Sequence, residues 1–142
     1  PNGELEDATQ DALIELADAL PRFEGRAKVT TFAHRIVVRV AYRHYGKKRD
    51  VVPFFEDMHE AGGSSPEDDV ASRQALAKLH RVLAKLPDKR RVAFVLCEIE
   101  GLEPNEAAEV AGTTALAMRT RLHYARAEVR RMLGVEAEGR AV

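Results

Sequence analysis

Apolar residues recur at three- and four-residue steps along almost the whole chain, and the pattern is lost at length only once. That spacing lines one face of a helix, whereas a strand needs strict alternation, so the chain is confined to an all-α fold. Ala8, Ala12, Leu13, Leu16 and Leu20 predict a first helix over about 6–20, stopped by Pro21. Phe32, Ile36 and Val40, with Val37 and Ala41 beside them, predict a second over about 30–48. Its β-branched residues do not alternate, and the run is too long for an ordinary strand.

Residues 50–65 lose the period. Pro53, the run Gly62-Gly63-Ser64-Ser65 and most of an acidic stretch mark a linker. Ser65-Pro66-Glu67-Asp68-Asp69 then reads as a helix start: a capping hydroxyl, Pro in the first turn, and acids at the positive end of the helix dipole. This third helix carries Val70, Leu76, Leu79 and Leu83 and stops at Leu86-Pro87. A fourth, Asp88 to Glu100, is expected to bury Val92, Val95, Leu96 and Ile99 ahead of a capping Gly101. A short fifth, Pro104 to Ala111, ends at Gly112, and a sixth runs from Thr114 to Leu133. The expected architecture is two small helical modules, 1–49 and 66–142, joined by an acidic linker over 50–65. Two helices are thin for an independent core, so the first module is expected to be incomplete upstream or finished by a partner. Pro1 in place of Met points the same way, to a processed N-terminus or a fragment.

The formal net charge of −1 over 142 residues would alone argue against a nucleic-acid partner. The signs are segregated, however. Residues 1–20 hold six acids and no base, and residues 22–49 hold nine Lys or Arg against Glu24 alone. Residues 50–69 hold seven acids and no base, while Arg119 to Arg131 holds five Arg against Glu128. Surfaces without such partners usually intersperse their charges, so each segment has its own reading.

Several classes are excluded. One cysteine, Cys97, cannot build a disulfide framework within the chain and fits a reducing cytosol. It lies between Leu96 and Ile99 and reads as packing rather than as a nucleophile. No apolar run approaches the roughly 20 residues that span a bilayer, and no basic-then-apolar leader opens the chain. The phosphate-loop, nucleophile-elbow and zinc-protease motifs are absent. His34, His44, His59, His80 and His123 have no metal-ligand spacing to one another or to Cys97. No catalytic residue, metal or cofactor is therefore expected.

The segment from 104 to 133 matches a helix-turn-helix in length and spacing. On its longer helix Met118, Leu122, Ala125 and Val129 form one apolar stripe. One register away stand Arg119, His123, Arg126 and Arg130, with Thr120 and Tyr124 opposite the core. Such donors suit a helix laid in a major groove, where Arg can bond guanine bidentately and Thr or His can make single bonds. A second basic row, Arg35, Arg39 and Arg43, is followed by Lys47-Lys48-Arg49 and preceded by Arg26 and Lys28. Like charges at i,i+4 destabilise an isolated helix, so the row is easiest to tolerate against a polyanion. Tyr42 and Tyr45 offer faces for base stacking. The acidic first helix, with Asp7, Gln10, Asp11, Glu15 and Asp18, is either a solvated face or a docking surface for a basic protein.

These residues resemble the sigma-70 family of RNA polymerase initiation factors, specifically its extracytoplasmic-function (ECF) group. Glu6-Asp7, Gln10-Asp11, Ala19-Leu20-Pro21-Arg22-Phe23 with Gly25, Thr31-Phe32, Arg35-Ile36 and the bases at 47–49 are similar to that family's second conserved region. Leu86-Pro87, Arg91, Phe94, Leu96, Glu100-Gly101-Leu102, Glu106, Ala108-Glu109, Gly112, Arg119-Thr120-Arg121-Leu122 and Ala125-Arg126 are similar to the fourth. The resemblance implies a cytoplasmic, non-enzymatic subunit with three kinds of partner and no membrane. Asp7, Gln10 and Asp11 would dock on core RNA polymerase. Arg26, Lys28, Arg35, Arg39, Arg43 and Lys47 would meet the −10 element of promoter DNA. Thr114, Arg119, Thr120, Arg121, His123, Tyr124 and Arg126 would meet the −35 element, and an anti-sigma factor would be the third partner. The chain departs from the family pattern at Ala17, where Trp is usual, at Arg39 and Arg43, where Asn and Asp are usual, and at Leu116-Ala117, where Gly-Thr is usual. A first region rich in aromatics has no counterpart. The residues alone also admit a stand-alone dimeric helix-turn-helix regulator or a helical interaction protein that does not bind DNA.

Overall fold

The computed structural model describes residues 2–46 and 66–134; the expected linker, Lys47 and the residues after 134 lie outside the described residues. Helix α1 (Asn2–Ala19) passes into a short 3-10 turn at Leu20–Arg22, with Pro21 inside it, and α2 (Val29–Tyr45) returns antiparallel to α1. The ring of Phe23 packs on Phe32 at 5.0 Å and fixes the re-entry of the chain. Ala8, Ile36, Val40 and Thr31 are buried in this hairpin. Leu13 (60% exposed) and Val37, both expected in the core, are not. Two helices share only one face, and these side chains point off it.

The C-terminal helices pack far more completely. After α3 (Pro66–Lys85) come α4 (Asp88–Phe94), α5 (Pro104–Ala111) and α6 (Ala115–Leu133). One core joins Ala93, Leu96, Ala107, Ala108, Val110, Met118 and Leu122. A second joins Val82, Leu83 and Leu86 to Ala125 and Val129. Helix α6 runs through both, and its predicted stripe of Met118, Leu122, Ala125 and Val129 is the buried one. Burial on α3 is confined to its C-terminal end, so Val70 and Leu76, expected in the core, are exposed.

The expected fourth helix is not α-helical to its end. Val95–Ile99 widens into a π turn, closed by the Glu100 amide donating to the Val95 carbonyl at 2.9 Å. The extra residue per turn swings Ile99 off the apolar stripe, leaving it half exposed, while Leu96 stays buried. Gly101 takes a left-handed φ of 73° directly afterwards, and the Leu102 amide bonds back to the Leu96 carbonyl at 2.9 Å.

The two sets of helices are in contact. α2 packs on α5, and Val38 of α2 leans on the core of the C-terminal set. Part of what the α1–α2 hairpin lacks is thus supplied from within the chain.

Arg91 ties α3 to α4. Its Nε donates to the Leu83 carbonyl at 2.9 Å, and its Nη2 donates to the carbonyls of Leu86 at 2.9 Å and Ala84 at 3.3 Å. These are carbonyls of the last turn of α3 and its exit, where the helix's own amide donors run out; the Leu83 carbonyl also accepts from the Leu86 amide at 3.1 Å. Arg91→Ala is expected to destabilise the protein by about 1.5–3 kcal/mol, the range for hydrogen bonds to a charged group. Arg91→Lys should recover only part of this, because an ammonium lacks the planar fork. Urea denaturation of the three proteins tests it; equal midpoints would remove the capping role.

Candidate nucleic-acid interface

The turn between α5 and α6 fixes the angle at which α6 is presented. Gly112 sits at φ 67°, ψ 39°, its amide bonding back to the carbonyls of Ala108 and Glu109. A side chain at that φ would be strained. The Thr113 amide donates to the Ala108 carbonyl at 2.9 Å, and the Thr114 hydroxyl oxygen caps α6 by accepting from the Ala117 amide at 3.1 Å. Thr114, expected at the −35 element, therefore has a structural task at the helix start.

With Met118 and Leu122 buried, α6 turns Leu116, Arg119, Thr120 and His123 outward. Nη2 of Arg119 donates to Oδ1 of Asn105 on α5 at 3.1 Å, which braces the guanidinium beside the turn. The Thr120 hydroxyl donates to the Leu116 carbonyl at 3.0 Å. His123 meets the Tyr124 ring edge-on at 5.5 Å, and the Arg90 guanidinium lies 4.9 Å from the centre of that ring. Arg126 is held by the Glu98 carboxylate, and Arg90 by Glu128. Arg121 stands apart from the outer face. It is half-buried, and its charge opposes the rise that burial imposes on the Tyr42 phenol of α2. The sequence placed these bases on one helix but had no means of finding Arg90, which comes from α4 to stack on Tyr124.

The arginine row of α2 is arranged differently from a free cationic face. Arg43 donates to Glu15 at 2.6 Å and approaches Asp11 at 3.8 Å; Arg39 donates to the other oxygen of Glu15 at 3.1 Å. The two guanidinium groups, Arg43 first, hold the Glu15 carboxyl below its ordinary range. The anion that makes this row tolerable inside the chain is α1. Asp11 also accepts from His44 Nε2 at 2.7 Å, so it faces α2; Asp7, one turn earlier, is exposed but near enough for its charge to act on Tyr45 of α2, and Gln10 is exposed away from that contact. The three expected polymerase-docking residues are thereby split.

Toward the start of α2, Arg35 Nε donates to the Glu109 backbone carbonyl of α5 at 3.0 Å with its Nη2 4.0 Å from the Glu109 carboxylate, and Lys28, just before α2, reaches Glu106 at 3.4 Å. His34 lies 3.8 Å from Glu100. Arg26 pairs locally with Glu24 at 3.0 Å. Lys47 is outside the described residues. Among the described residues no group of His, Cys, Asp and Glu could hold a metal ion, and no helix is long and apolar enough to cross a membrane. Burial pushes the Cys97 thiol up, as expected of a packing cysteine.

Comparison with known proteins decides what this arrangement belongs to. Residues 1–51 match the family model for sigma-70 region 2, and residues 76–129 match that for sigma-70 region 4. The chain belongs to the sigma-70 family. Within it, the ECF RNA polymerase sigma-E factor of Escherichia coli K12 is 29% identical over 137 residues, covering 89% of this chain and 72% of that protein. The ECF RNA polymerase sigma factor SigW of Bacillus subtilis is 28% identical over 143 residues, 92% of this chain and 75% of that one. The solved structure of CnrH, in complex with the cytosolic domain of CnrY, aligns at TM-score 0.69 and 25% identity over 96% of this chain and 75% of CnrH. The sigma factor RpoE of Bartonella quintana, in complex with the anti-sigma factor NepR, shares the fold at TM-score 0.63 and 19% identity over 92% of this chain and 81% of RpoE. This sigma-70 protein is an ECF-type sigma factor, with its region 2 part ahead of its region 4 part.

The Glu15 linkage has a definite sign. A carboxyl whose folded pKa is depressed adds stability above its unfolded pKa and loses it as pH falls through the folded value. Glu15→Gln should therefore lower the melting temperature at neutral pH and low salt. The difference from wild type should close as pH drops below the ordinary carboxylate range. A gap that stayed constant down to acid pH would show that Glu15 acts by packing rather than by charge.

Proposed function

We propose that this ECF sigma factor directs core RNA polymerase to promoters by laying α6 in the major groove of the −35 element. The observation that carries this reading is the outer face of α6, where Arg119, Thr120 and His123 are exposed behind a tight turn while the opposite stripe is buried. Arg119 and Arg126 supply phosphate or guanine contacts and His123 a shorter one, Thr120 an acceptor oxygen whose proton is given to the Leu116 carbonyl, and Tyr124 a flat face held in place by Arg90. Thr114 and Arg121 support that face, Thr114 by capping α6 and Arg121 from the side of α2.

Arg26, Lys28, Arg35, Arg39, Arg43 and Lys47 form the −10 side of the same reading. Arg39 and Arg43 act chiefly by holding α2 on α1, and Lys28 and Arg35 are the residues free to change partners. Their pairs with Glu106 and Glu109 are solvent-exposed, and such pairs contribute at most about 1 kcal/mol each. Exchanging a carboxylate for a phosphate is then inexpensive. Asp7 and Gln10, both exposed on α1, dock on core polymerase, and Asp11 keeps α1 in register through His44. Recognition rather than bond-making is the role of every residue in the scheme, and its setting is the cytoplasm. The complex of RpoE with the anti-sigma factor NepR supports an anti-sigma protein as a further partner.

The test is transcription from a panel of candidate promoters by purified core polymerase with and without the chain. Initiation from a subset, dependent on the chain, is expected; no association and no initiation would end the sigma reading. A second measurement compares variants. Removing one arginine from a phosphate should flatten the salt dependence of promoter binding by up to about 0.9 in log–log slope. Arg119→Ala should show the larger effect, because Arg126 must first leave Glu98. Equal, unchanged slopes for both variants would put the DNA on another face of α6.

A further inference from the structure

We infer that Leu116 reads the C5-methyl group of a thymine in the −35 element, giving α6 one apolar base contact among its polar ones. Leu116 is 73% exposed, the most exposed of the large hydrophobic side chains among the described residues. It stands second in α6, with Arg119, Thr120 and His123 at i+3, i+4 and i+7, so all four share one outward face. The first residues of a reading helix are those that approach base edges. No packing duty accounts for a leucine there, since Met118 and Leu122 fill the core from the opposite stripe. The Thr120 hydroxyl is engaged by the Leu116 carbonyl, so the first turn of this face offers DNA an isobutyl group rather than an additional hydroxyl donor.

The surroundings select the occupant. Arg119 stands beside Leu116 on the face, braced by the neutral amide of Asn105 rather than by a carboxylate, so whatever covers the leucine must also offer negative charge. A major groove answers both demands: phosphates border it, and thymine alone of the four bases projects a methyl group into it. An apolar protein groove would satisfy the leucine and leave Arg119 without counter-charge.

The inference rests on α6 being the reading helix, and the experiment separates the two. Wild-type chain loaded on core polymerase is used to select −35 sequences from duplexes randomised at that element. Each selected thymine is then replaced, one at a time, by deoxyuridine, which removes only the methyl group. The same duplexes are measured with Leu116→Ala, whose exposed site on a helix favours Ala and whose fold is checked by thermal denaturation. The expected result is one thymine whose replacement weakens wild-type binding about three- to five-fold, the order for returning one methyl group to water. Leu116→Ala should bind the thymine duplex as weakly as wild type binds the deoxyuridine one, and should not respond to the replacement. A selected element without thymine, or equal responses to deoxyuridine in both proteins, overturns the contact while the promoter reading stands. Failure to enrich any −35 sequence overturns both.

Discussion

The presentation of α6 depends on contacts made by very small side chains. Ala93 of α4 and Ala107 of α5 have no exposed surface and share one core with Met118 of α6, while Ala125 of α6, equally buried, belongs to the second. Alanines at a helix crossing let the backbones come closer than larger side chains would. At that separation an added methylene group has nowhere to go and forces a shift. The gain is rigidity: α6 cannot roll about its axis without driving Met118 or Leu122 out of the core. Its outward residues inherit a fixed direction from contacts that none of them makes.

Electrostatics in this chain works mostly by pairing neighbouring helices. The acids of α1 meet the arginines of α2, and the acids of α5 meet the remaining bases of α2. The first set lies within a hairpin whose two helices are also tied by Ile36 and Val40, so it fixes register. The second lies at a more open contact, where Val38 is the apolar anchor. Charge complementarity at such a contact favours one docking geometry more than it adds stability.

Much of this was legible in the sequence, and the limits have physical causes. The α6 stripe was fully readable, because a nineteen-residue amphipathic helix leaves little ambiguity in its period. The helix boundaries at Gly112 and Thr114 were legible from local chemistry, whereas the capping role of Thr114 and the left-handed φ of Gly112 emerge only in the structure. Failures came where burial depends on a neighbour that the period cannot see. Leu13, Val37, Val70 and Leu76 sit on plausible apolar stripes, yet their helices have too few partners to cover them. Segregated charge along the chain suggests segregated function. It conceals that Asp11 and Glu15 on one helix and Arg39 and Arg43 on the next are spaced to meet across a hairpin. Leu116 is the reverse case, an apolar residue visibly off the stripe.

The π turn at Val95–Ile99 acts as a phase shifter. A residue added to one turn of helix rotates everything downstream by about 100° relative to everything upstream. Upstream lie α4 and the Arg91 tie to α3; downstream lie the α5–α6 turn and the face that α6 turns outward. Length at this point therefore matters more than composition. Side chains within the turn can be exchanged while the phase persists, but deletion of one residue would return the segment to a regular α-helix and re-aim all that follows.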